Sequence, residues 1–153
     1  MRLNFTRALA LFFAAYIIVT ILAATTTECY GLMSNLPPPP AGVSPVKMPV
    51  FLATVPYHVL IMLIVWPIFA WVYFRKSRHK NPNTERAETW NLALAWLVLA
   101  MVVDCVGFVL IKHPYSLSAH AFYVDYQPWI SLIYVAIFLS PWIRLWVVKR
   151  SGR

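Results

Sequence analysis

Asp104 is the one charged residue between Trp90 and Ile111. A carboxylate at the centre of a hydrocarbon layer costs about 3 kcal/mol even on a lenient scale. Such residues therefore face a bundle interior and are functional candidates by default. His58 stands in a second apolar run, two residues after Pro56, and Glu28 lies near the end of a first. Between Lys112 and Trp129 the chain turns polar and aromatic, with His113, His120, Tyr123 and Asp125. Imidazole and carboxylate side by side can pass a proton, because burial and mutual charge move both pKa values. They can also hold a cation. The chain has no HExxH, no Gly-x-Ser-x-Gly, no phosphate-binding loop and no paired cysteines at zinc spacing. No metal and no cofactor is assigned on this basis.

Four apolar blocks must position these residues. The chain has 153 residues, 61% hydrophobic and 12% charged, where a soluble domain is roughly a quarter charged. The blocks cover approximately 8–30, 49–74, 90–111 and 129–148, each near the roughly 20 helical residues that cross a bilayer core. The expected fold is an all-α integral membrane protein, a single four-helix transmembrane domain. The first block also has the outline of a signal peptide, with Arg2 and Arg7 ahead of it and small residues at Ala23 and Ala24. Its apolar core exceeds the roughly 15 residues usual for such a leader, which favours an uncleaved span.

The connections differ in character. Residues 31–48 include Pro37 to Pro40, a short polyproline rod best read as a stiff spacer. Residues 75–89 form a polar hinge with an Asn81-Pro82-Asn83 turn signal. There Thr84 is the expected N-cap, with Glu85 and Glu88 at the positive end of the next helix. Residues 112–128 form a polar loop whose Leu117, Ala121 and Val124 are expected to rest on the membrane surface. Trp66, Trp71 and Tyr73 near the end of the second block read as interfacial aromatics.

Lysine and arginine divide unevenly. Arg2, Arg7, Arg75, Lys76, Arg78, Lys80, Arg86, Arg144, Lys149, Arg150 and Arg153 fall on one side and only Lys47 and Lys112 on the other. Positive charge stays in the cytoplasm. Both termini and the 75–89 hinge are therefore expected inside, and loops 31–48 and 112–128 outside. The net charge of +8 is thereby explained by topology and anionic lipid, and nucleic acid is not an expected partner. Small size and sharp charge asymmetry point to a bacterial cytoplasmic membrane.

At 1.5 Å per residue, His58 lies roughly 13 Å and Asp104 roughly 10 Å from the outer ends of their spans. An outward-facing polar pocket on Asp104 and His58 follows, with Glu28, His113, His120, Asp125 and Tyr123 at its lid. The plainer alternative pairs Asp104 with His58 as an interhelical hydrogen bond worth about 1 kcal/mol. Ala93, Ala100, Asp104 and Gly107 form a stripe of mostly small residues suited to close helix contact. Cys29 and Cys105 fall towards the same side, where two apolar core residues are a simpler reading than a bridge.

The leading functional reading is a small accessory or interaction protein. Its partners would be membrane lipids, another membrane protein or a second copy of itself. One alternative is binding or transport of a proton-coupled, cationic or lipid ligand through the Asp/His pocket. Another is a membrane enzyme acting on outer-leaflet lipid, for which His120, Asp125 and Tyr123 are the loop residues; a non-enzymatic role is favoured.

Overall fold

The computed structural model describes residues 3–34, 36, 45–76, 82–112 and 116–151. The Pro37–Pro40 rod and Asn81 of the turn signal lie outside the described residues. Helix dominates, and no strand occurs among the described residues. Helix α1 spans Phe5–Met33. Neither glycine nor proline interrupts it before Gly31, and the Asn4 side chain caps it by accepting from the Arg7 N–H at 3.1 Å. Helix α2, Pro49–Phe74, starts on a proline and contains Pro56 and Pro67. Its limits coincide with those expected from hydropathy.

Helix α3, Pro82–Asp104, begins well before Trp90. Proline suits a first helical position because its missing N–H would be unpaired there anyway. Thr84 is therefore inside the first turn and is not the N-cap. The polar first turns of α3 are held by neighbours: Glu85 pairs with Arg144 on the last helix, and Tyr73 donates to Glu88 at 2.8 Å. After Asp104 the helix loosens into wider turns over Cys105–Leu110, and the Ile111 N–H reaches back five residues to Val106 O at 3.0 Å. A second short run of wide turns, Ala121–Asp125, leads through a cis Gln127–Pro128 bond into α4, Trp129–Arg150.

The four helices run up and down in a ring, in which α1 packs on α2, α2 on α4 and α4 on α3. Contact between α1 and α3 is much thinner, and α2 and α3 scarcely touch. All four are long and apolar enough to cross a membrane. Only 22% to 39% of each span's most apolar stretch is buried within the chain. The remainder, including Ile21, Leu60, Val98 and Val135, is apolar surface turned outward, where lipid rather than water is the fitting solvent.

The end of the bundle holding Asn4, Phe74, Pro82 and Arg150 is filled. Phe12, Trp66 and Trp96 are each at most 1% exposed and form a chain of rings with centroids 5.5 and 5.3 Å apart. Trp96 Nε1 donates to the Ala8 carbonyl at 3.0 Å. Tyr73 and Phe74 are also buried, with Arg7 and Arg144 over their rings. Trp66 and Tyr73 are thus core residues and not interfacial anchors; Trp71 remains exposed.

Candidate functional site

At the opposite end the helices enclose space. A cavity of about 870 Å³ is walled by α1, α2 and α4, by Asp104 and Phe108 of the third span, and by Leu117, Phe122 and Tyr126. The last three belong to residues 116–128 of the loop, which fold inward as a roof. Leu117, Ala121, Phe122 and Tyr126 are all buried, and Phe122 stacks on Phe108 with ring centroids 5.8 Å apart. Of the residues expected to rest on the membrane surface, only Val124 stays exposed. Trp66, a member of the ring chain that fills the other end, forms part of the inner wall.

Asp104 and His58 both line this cavity, and so does Glu28. The direct Asp104–His58 bond considered from sequence is not formed. The Tyr16 hydroxyl donates to Asp104 Oδ1, and Tyr134 lies close enough for the carboxylate to act on it. His58 Nε2 is 3.0 Å from Thr27 Oγ1, which is in turn 3.0 Å from Thr54 Oγ1. Two polar pairings, at different depths, therefore cross the cavity wall from α1, one to α3 and one to α2. Glu28 sits one residue beyond Thr27 and is exposed at the rim.

The wide turns begin at Asp104. Such turns displace a helix's register locally and recur at functional sites. The stripe of small residues ends there too. Ala93, Ala100 and Asp104 are buried, whereas a Cβ on Gly107 would meet no atom within 4 Å. The close approach of α3 to α1 thus reaches Trp96–Ala8 and Asp104–Tyr16 and goes little further. Beyond it Thr20 and Ala24 line the cavity and yet Thr20 is exposed, so the cavity opens along the free edge of α1 towards α3.

His120 and Asp125 do not enter the cavity. They lie on the outer side of the roof. Lys47, from a short turn Pro45–Lys47, pairs with Asp125 Oδ2 at 3.0 Å, and His120 Nδ1 is 3.7 Å from Asp125 Oδ1. The Lys47 hydrogen bond, helped by its charge and by His120, holds the Asp125 carboxyl below the usual carboxylate range. Tyr123, in the roof, lies beside Cys105. Burial first, then the thiol and the Asp104 carboxylate, push its phenol up. Burial raises Tyr126 as well. His113 lies outside the described residues. Cys29 and Cys105 are unbridged, with Cys29 exposed on α1.

No protein-family model, curated protein or solved structure matches the chain. Among the described residues no cluster of three histidine, cysteine or acidic side chains has the grouping of a metal site. Residues not singled out as site candidates from sequence complete the cavity or its polar wall: Tyr16, Thr27, Thr54 and Trp66. Tyr16, Thr20, Ala23, Thr27 and Gly31 recur at three- and four-residue spacing on α1 and all line the cavity. That stripe of hydroxyls and small residues was the available signal. The Trp66 indole is 1% exposed, and its Nε1–H has no acceptor among the described residues.

Proposed function

We propose that the protein binds an amphipathic, lipid-class ligand in the outer half of its membrane bundle. The observation that carries this reading is the cavity. Its volume lies within the range of roughly 300–1,000 Å³ typical of small-molecule sites. Its wall is mostly apolar, with a few polar groups at fixed places, the pattern that buries an apolar body and orients a polar one. The side opening along α1 gives such a molecule a route from the bilayer. The aromatic filling of the other end supports a one-sided binding site over a path through the bundle.

We further propose that the bundle sits in a bacterial cytoplasmic membrane with both termini inside. Eleven of thirteen lysines and arginines lie at the filled end or in the segments joined to it, as the charge rule for membrane topology requires.

Native mass spectrometry of the purified protein tests the binding reading. Wild type should carry a co-purifying amphiphile of lipid mass. Ala23→Trp, which fills the cavity from α1, should lose it while keeping its helical circular dichroism. A bare wild type, or the same adducts on both proteins, would refute the proposal.

A further inference from the structure

Charge divides the cavity from the rest of the molecule. Its wall contains the carboxylates of Glu28 and Asp104, and not one lysine or arginine among the described residues. Lys47 lies between two lining residues, Val46 and Met48, but is drawn off to Asp125 on the roof. Asp104 is 6% exposed, and its hydrogen-bond partner is the neutral Tyr16 hydroxyl. Among the described residues no basic nitrogen lies within ion-pair distance of Asp104 or of Glu28. A buried carboxylate without a counter-charge is strongly unfavourable, and a cation brought beside it relieves that penalty. Phe51, Phe108, Phe122 and Tyr126 also line the cavity, and aromatic rings attract cations at their faces.

We infer that the occupant is a hydrophobic organic cation, with an amine or quaternary ammonium head beside Asp104 and an apolar body along Ile130, Ile133 and Ile137. This deepens the amphiphile-binding reading and rests on it. Glu28 at the rim favours cations on entry, and the same two carboxylates repel fatty acids and other anionic heads. Attraction of the unlike charge supplies affinity, and repulsion of the like charge supplies specificity.

The test uses the full chain in phosphatidylcholine nanodiscs and three probes with the same dodecyl chain: dodecyltrimethylammonium, dodecanol and dodecanoate. Bound stoichiometry is read by native mass spectrometry and affinity by tryptophan fluorescence. The ammonium probe should bind in one equivalent, at least about tenfold more tightly than either competitor. Ala23→Trp should abolish this binding, and Asp104→Asn should remove the preference while leaving dodecanol bound. Equal or tighter binding of dodecanol or dodecanoate to wild type overturns the cation assignment and leaves the cavity reading standing. So does undiminished ammonium preference in a folded Asp104→Asn. If no probe binds wild type, the amphiphile reading falls with it. Should Asp104→Asn fail to fold, the ranking of probes on wild type decides.

Discussion

Tyr16 and Asp104 form the pairing on which the middle of the bundle depends, because few other contacts join α1 to α3. Tyr16→Phe removes the donor and leaves the ring in place. A buried group left without its hydrogen-bond partner costs about 1–3 kcal/mol, so thermal unfolding in a fixed detergent should show a loss of that size. Asp104→Leu in the Tyr16→Phe background removes the orphaned carboxyl and should recover most of it, since replacing both partners by apolar groups is nearly neutral. A double-mutant cycle with no coupling would mean that the bond contributes nothing. Asp104 was legible in the sequence because charge in an apolar run is conspicuous. Tyr16 was not, because a tyrosine among phenylalanines and isoleucines reads as one more apolar residue until its partner is known. Trp66 misled for a related reason. It lies eight residues before the end of α2, roughly 12 Å at the helical rise, which is too deep for an interface anchor.

The helices and the roof are held by ties at both ends of the bundle. At the filled end Arg144 pairs with Glu85, with only 11% and 22% of the two side chains exposed. Removing one member of a buried pair strands the other. Arg144→Gln should therefore destabilise by about 2 kcal/mol, and adding Glu85→Gln should restore part of that in the same unfolding assay. At the roof the Lys47–Asp125 pair is more open, with 53% and 24% exposed, and its signature is a titration. Lys47 holds the Asp125 carboxyl below its ordinary range, which for a free aspartate centres at about 3.9. The tie's stabilisation is thus fully present above that ordinary value and is lost as the pH falls through the depressed one. In Lys47→Ala, carbon NMR of the Asp125 carboxylate should show a midpoint moved up towards the free value. An unmoved midpoint would mean that Lys47 does not hold this loop. The hydropathy pattern revealed the helices but not these ties. Glu85 and Glu88 looked like ordinary first-turn acids, and the inward fold of residues 116–128 depends on Phe108 and the α1–α2 end, which no local pattern in the loop announces.

At the scale of the whole molecule, the four spans and their up-and-down order were legible because lipid demands long apolar runs. The cavity was not, since it is an absence of atoms created where α1 and α3 part and the roof closes over them. Its position gives orientation a functional weight. With both termini in the cytoplasm, the cavity draws on the outer leaflet and Glu28 meets the outside. In the opposite orientation its ligand would come from the cytoplasmic side. Cysteine labelling decides between them. In a Cys29→Ser, Cys105→Ser background, Ala119→Cys on the exposed roof segment should react with a membrane-impermeant maleimide in intact cells. Ser151→Cys, exposed beyond α4, should react only after the membrane is opened. The reverse pattern would turn the bundle over against the excess of eleven basic residues to two. The amphiphile would then have to be sought among inner-leaflet and cytoplasmic molecules, with the same carboxylates selecting it.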